Sequence, residues 1–144
     1  HIANVQHIKW ESLYQGKNTY KYTHIGEIVE SDINVDETYI KLRIFQMPSS
    51  HAKGSLALLV NNKYCLLGDA LYPAHKGDKT VYNAGILKQQ IDILKKMAAP
   101  YVLLSHREPF VQKKQAVISW LEKIYAMREK NEPWILMTGQ NVPN

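Results

Sequence analysis

The 144-residue chain has 45% apolar and 22% charged residues, 7 Gly, 6 Pro and one cysteine, the profile of one ordinary globular domain able to bury a core without disulfides. A single thiol, Cys65, excludes a disulfide framework and a multi-Cys zinc site and fits a reducing, cytoplasmic setting; no apolar run approaches the roughly 18–20 residues that span a bilayer. The net charge is +5, but Arg43, Arg107 and Arg128 are the only arginines, and base and phosphate readout favours Arg, so scattered lysines such as Lys95-Lys96 and Lys113-Lys114 read as solvated faces and no nucleic-acid partner is expected.

In chain order, Ile2, Val5, Ile8 and Leu13 give a short helical pattern over residues 2–13, and Gln15-Gly16-Lys17-Asn18 reads as a turn. Ile25 to Val29, then Ile33 and Val35, form short strands separated by Ser31-Asp32. From Tyr39 to Gln46, Ile40, Leu42 and Ile44 alternate with Lys41 and Arg43, the period-2 signature of a strand with one wet face. Ser55 to Val60 and Tyr64 to Leu67 flank Asn61-Asn62-Lys63, which predicts a hairpin buried on both faces.

Leu87, Ile91, Leu94 and Ala98 predict a helix over about 82–98, with Asn83 as a cap and Pro100 as its stop. Tyr101 to Leu104 reads as a strand ending at Ser105-His106, and Val117, Trp120, Leu121 and Ile124 predict a second amphipathic helix over about 112–130. No repeat or linker divides the chain, so residues 1–144 form one domain. The order of strands, helix, strand, helix favours an α/β sandwich with helices on one face of a sheet.

Three polar residues stand where strands begin or end: His51 before the Ser55 strand, Asp69 after the Tyr64 strand and His106 after the Tyr101 strand. Loops at one sheet edge can bring them together, and two imidazoles with a carboxylate suit zinc. The residues alone leave a second reading open, in which each His is a hydrogen-bonded loop residue and Asp69 a turn former.

The stretches Met47-Pro48-Ser49-Ser50-His51-Ala52-Lys53-Gly54-Ser55, Leu67-Gly68-Asp69-Ala70-Leu71-Tyr72-Pro73 and Leu103-Leu104-Ser105-His106-Arg107-Glu108-Pro109 resemble the segments P-G-H-x-x-G-S, G-D-A-L-F-P and G-H-G-x-P of the metallo-β-lactamase-fold hydrolases. Their order matches, as do the separations of 18 and 37 residues between His51, Asp69 and His106. Ser49-Ser50 replaces the Pro-Gly before His51, and Ser105 and Arg107 replace the glycines around His106, which places a cation near the site. His1-Ile2-Ala3-Asn4-Val5 is similar to the end of the family's H-x-H-x-D-H motif, with His1 as its last His. The resemblance therefore implies the C-terminal part of an αββα sandwich, truncated and short of three ligands.

What the resemblance implies about chemistry is a two-metal hydrolase of an ester, lactone, thioester or β-lactam-like bond, using a metal-bound hydroxide on a small-molecule substrate. His51 binds one ion, Asp69 bridges, and His106 with His1 binds the other; the ions are zinc, with iron or manganese as the other metals that these donors serve. Tyr72 stands where lactone-hydrolysing members carry a Tyr near the substrate carbonyl. The truncated chain is expected to be weakly active or inactive, and to self-associate through a sheet face left open. The alternative is a non-catalytic or nucleic-acid-processing member of the same fold. His7, His24 and His75 match no motif position and are expected in ordinary surface or hydrogen-bonded roles; Cys65 is expected as a buried hydrophobe, and Trp10, Trp120 and Trp134 as core or interface anchors.

Overall fold

The computed structural model describes residues 29–138, so the expectations for residues 2–13, His1, His7, Trp10 and His24 lie outside the described residues. Alternation of wet and dry side chains is satisfied by an extended chain, and Lys41–Gln46 forms strand β2, with Phe45 buried and Arg43 exposed on the same face. It pairs antiparallel with β1 (Ile33–Asp36) and with β3 (Leu56–Val60). β3 turns into β4 (Tyr64–Gly68) through Asn61 and Asn62, whose φ values of 49° and 51° are those a tight hairpin demands and Asn tolerates.

The next neighbour of β4 is β7 (Tyr101–Leu104), and this pair is parallel. A parallel pair needs a crossover, and helix α1 (Ala84–Lys96) supplies it. β8 (Val111–Lys113) closes the six-stranded sheet in the order β1-β2-β3-β4-β7-β8 and leads into α2 (Lys114–Ala126). Three short strands, β5 (Ala74–Lys76), β6 (Lys79–Asn83) and β9 (Trp134–Met137), form a second sheet in the order β5-β6-β9. The architecture is mixed α/β.

One core joins these elements. Phe45, Leu59, Cys65 and Val102 from the large sheet belong to the same buried cluster as Leu87, Ile91 and Leu94 of α1 and Val117, Leu121 and Ile124 of α2. Each such side chain contributes roughly 1.5–3 kcal/mol of burial relative to exposure.

The hairpin expected to be buried on both faces is buried on one. Ala57, Leu59, Cys65 and Leu67 are covered, while Leu58, Val60 and Tyr64 are half-buried and Leu66 is 37% exposed. Helices cover one side of the sheet, and no described helix lies on the other.

The helices are shorter than their periodicity predicts. α1 begins at Ala84 because Tyr82 and Asn83 pair with β9 as part of β6; Asn83 still caps, its Oδ1 accepting from the Ile86 N–H at 3.0 Å. α2 ends at Ala126, where the Arg128 guanidinium donates to the Tyr125 carbonyl at 3.1 Å and lies 4.2 Å over the Tyr125 ring. Lys113 falls in β8 rather than in a helix.

Candidate metal centre

The sheet topology decides which loops meet. β3 is antiparallel to β4 and β4 is parallel to β7, so the start of β3 and the ends of β4 and β7 lie at one edge. His51, Asp69 and His106 occupy those three positions, and the structure brings their side chains together.

Each loop is anchored before its side chain enters the site. The Ser49 hydroxyl accepts from the backbone N–H groups of His51 and Ala52 at 3.1 and 3.2 Å, and the Ser50 hydroxyl accepts from the Asn83 N–H at 3.0 Å. The serines that replace Pro-Gly thus fix the His51 turn and tie it to the start of α1. Asp69 follows Gly68, whose φ of +53° costs a residue with a Cβ roughly 1–2 kcal/mol. His106 is itself left-handed, φ 58°, a conformation His adopts more readily than most residues. It is held by Ser105, whose N–H donates to the Gly68 carbonyl at 3.2 Å and whose carbonyl accepts from the Tyr72 hydroxyl.

Beneath these loops, Gln90 is fully buried in α1 and its amide donates at 2.7 Å to both the Pro48 and Ala70 carbonyls. The buried Tyr82 hydroxyl donates to the Leu71 carbonyl at 2.9 Å, and burial pushes its pKa up. Sequence reasoning missed both. The signal was present, because Gln90 stands three residues after Leu87 and four before Leu94, so the helical period turns it inward and leaves Gln89 exposed.

Asp69 Oδ2 lies 4.0 Å from His51 Nε2, and Asp69 Oδ1 lies 3.8 Å from His106 Nε2. One carboxylate therefore serves two imidazoles, one oxygen each. His51 Nδ1 is 3.1 Å from the Pro73 carbonyl, which only accepts, so Nδ1 carries a proton, and whenever Nε2 carries none it presents a bare lone pair to Asp69. Two acceptors then face each other, and Asp69 Oδ1 is buried without a hydrogen-bond partner. A cation relieves both conditions, and a backbone carbonyl on the far nitrogen is how metal-binding histidines are commonly held.

The fit to a metal is partial. Donors sharing one tetrahedral ion with bonds of about 2.1 Å stand about 3.4 Å apart, somewhat closer than the two pairs here. Among the described residues no group of three or more His, Cys, Asp or Glu side chains closes around a single point. The arrangement is two half-sites of two donors each, sharing Asp69, and His1 lies outside the described residues.

His51 and Asp69 stand between two cavities. One, of about 460 Å³, is completed by Tyr72, Pro73, His75, Thr80 and His106. The other, of about 340 Å³, is completed by Ala52, Ser55, Leu56, Leu67, Gly68 and Ser105. Both volumes fall in the range that holds small ligands. His75, expected on the surface, is exposed but also walls the larger cavity, and its Nδ1 lies 3.3 Å from the Thr80 hydroxyl across the β5–β6 hairpin.

Arg107 does not line either cavity. Its guanidinium lies 4.8 Å over the Trp120 ring on α2, with Nη1 buried, so the cation expected near the site packs on the helix instead. It still acts on Tyr72, whose pKa is raised mainly by burial, an effect that Arg107 partly opposes and Asp69 reinforces. Trp120 packs against the core and Trp134 lies under the Lys76 ammonium, 3.3 Å from its ring centroid.

The chain matches no family model, no curated protein and no solved structure. Among the described residues no helix is long and apolar enough to cross a membrane.

Proposed function

We propose that the chain supplies His51, Asp69 and His106 to a two-metal hydrolase centre of the metallo-β-lactamase type, on an αββα sandwich of which the six-stranded sheet and its two helices are one half. The observation that carries the reading is the division of one carboxylate between two imidazoles at a sheet edge, beside a cavity of ligand size. The bond cleaved is an ester, lactone, thioester or β-lactam-like amide of a small molecule, and the buried thiol of Cys65 suits a cytoplasmic site of action.

His51 and Asp69 would hold one ion, and Asp69, His106 and His1 the other, zinc being the first expectation and iron or manganese the alternatives that these donors serve. Held by these residues, a divalent ion would supply ionisation of water near neutrality and polarisation of a carbonyl. The chain's own part is positional. Pro73 keeps the His51 proton on Nδ1 and so keeps Nε2 a donor, Gly68 and Ser105 set the approach of Asp69 and His106, and Tyr72, Pro73, His75 and Thr80 shape the space above them.

Calorimetric titration of the 144-residue chain with zinc tests the proposal. Weak binding of up to two ions, lost in His51→Ala and in His106→Ala, is expected. Heats at the level of dilution up to the solubility limit of the metal would overturn it.

A further inference from the structure

The larger cavity beside Asp69 takes part of its wall from the second sheet, and that part has a chemistry of its own. β5 and β6 place His75 opposite Thr80, and β6 and β9 place Thr80 opposite Met137 and Tyr82 opposite Ile135. Residues paired across strands, or two apart within one, share a face. His75 and Thr80 therefore continue the row in which Tyr82, Ile135 and Met137 are buried in the core. The row turns polar only where it leaves the core, and both polar side chains then line the cavity of about 460 Å³. Lys76 and Lys79, the cations of the same hairpin, stand opposite each other on its other face, and the Lys76 ammonium lies over the Trp134 ring. With a neutral imidazole, the hairpin offers the cavity hydrogen bonds and no formal charge.

What the pair can bind does not depend on which way its internal hydrogen bond runs. Thr80 Oγ1 and His75 Nδ1 are 3.3 Å apart. If the Thr80 hydroxyl donates to Nδ1, the neutral ring carries its proton on Nε2, and the pair presents a donor there and an acceptor at Oγ1. If Nδ1 donates to Oγ1, the hydroxyl proton points away from the ring and Nε2 is bare, so donor and acceptor trade places. Either tautomer presents one donor and one acceptor. A hydroxyl group is both at a single atom and matches either arrangement. A carboxylate only accepts, so it faces the acceptor of the pair without a proton between them, and an alkyl group uses neither.

We propose that His75 and Thr80 determine the specificity of the site, selecting a substrate that carries a free, uncharged hydroxyl group close to the bond that is cleaved. The inference rests on the hydrolase reading for that bond, whereas the hydroxyl contact itself is made by the second sheet and needs no metal.

Saturation-transfer NMR of small probes with the full chain, in chelator at pH 8, tests the contact apart from the metal centre. The probes are γ-butyrolactone, its α-hydroxy and β-hydroxy derivatives, and its γ-carboxylate. At least one hydroxylactone is expected to bind about 10-fold tighter than the parent, as two hydrogen bonds of ordinary strength allow, and tighter than the carboxylate. Thr80→Val, which keeps the shape of the side chain, and His75→Ala are each expected to remove that preference, and Thr80→Ser to keep it. Far-UV circular dichroism reports that each variant is folded. Equal affinity for the hydroxylactones and the parent, no saturation transfer from any probe up to its solubility, or a preference that survives both Thr80→Val and His75→Ala overturns the proposal. Tightest binding of the carboxylate overturns it equally and makes the pair an anion site. Zinc titration of the same chain keeps the two readings apart. A hydroxyl preference in a chain that binds no zinc leaves the pair and removes the hydrolase centre, and zinc binding without the preference does the reverse.

Discussion

The Tyr72 hydroxyl donates its proton to the Ser105 carbonyl, joining the loop after β4 to the last residue before His106. In this structure that proton is therefore not offered to the cavity that the Tyr72 ring helps to line. The ring lies edge-on to His51, with centroids 6.5 Å apart, so Tyr72 touches all three loops of the site.

Tyr72 is thus a positioning residue first. Tyr72→Phe keeps the ring and removes the bond, which costs about 1 kcal/mol of stability and, by loosening His106, about 10-fold in zinc affinity. Urea unfolding and zinc calorimetry on the same variant check this. Lost ester or lactone hydrolysis at unchanged zinc affinity would return the hydroxyl to the oxyanion role that the resemblance implies.

Gln90 carries a larger share of the site's rigidity. Replacing it with Leu preserves volume but strands the Pro48 and Ala70 carbonyls in a buried setting, at about 1–3 kcal/mol for each unsatisfied group. Gln90→Leu is expected to lower the urea midpoint and, where it folds, to weaken zinc binding although it touches no ligand atom. A variant as stable as wild type would show that water replaces the amide.

Burial pushes the Cys65 thiol from 9.0 up to about 12, with Arg43 partly opposing. The folded state therefore keeps this proton at alkalinities where the unfolded state has lost it, so the contribution is fully present below about pH 9 and is lost as pH rises toward 12. Iodoacetamide at pH 8 is expected to label the chain only after denaturant is added, and the unfolding midpoint of wild type is expected to fall more steeply above pH 9 than that of Cys65→Ala. Rapid labelling of the native chain would contradict the burial.

How far the sequence could be read follows from the range of the interactions involved. β2, β3 and β4 announce themselves because alternation and the Asn61-Asn62 turn are local signals, and α1 and α2 because a helix repeats its core contacts within four residues. β5, β6 and β9 are three to five residues long, and β6 gains its partner β9 only some fifty residues later, so no window contains the reason for them. His51, Asp69 and His106 are legible from the strand boundaries beside them together with the three family-like segments that hold them, whereas their meeting at one edge depends on strand polarity, which no local window contains. Leu66 and Leu67 show the opposite limit: both are leucines in one strand, and which is buried depends on what covers each face. Arg107 shows it too, because the ring it packs on comes from α2 and not from its own loop.

His75 separates the wall of the cavity from its metal donors. Its Nδ1 is engaged by Thr80, leaving Nε2 as the nitrogen for a ligand, and no ion pair or hydrogen bond links it to Asp69 among the described residues. His75→Ala is expected to leave zinc affinity within about twofold of wild type and stability within about 0.5 kcal/mol, as for an exposed site. A tenfold loss of zinc affinity would make it a ligand instead.

Asp69→Asn is the sharpest test of the centre, because it removes charge while keeping shape. The amide retains one carbonyl oxygen but replaces the other with an NH₂ that cannot coordinate a cation, so one of the two half-sites loses its shared donor. The other keeps an uncharged oxygen, and the two imidazoles are neutral when they bind metal. A dication held by neutral donors alone forfeits the attraction that favoured leaving water, so zinc affinity is expected to fall by at least about 10-fold. Stability in the absence of metal should move the other way or not at all, since the amide hydrogens can satisfy the His51 lone pair that now faces a carboxylate oxygen. Calorimetry with zinc and thermal unfolding in chelator, run on both proteins, separate these effects. Equal zinc affinity for the two would leave Asp69 as the turn former of the plainer reading, with His51 and His106 as loop residues beside it.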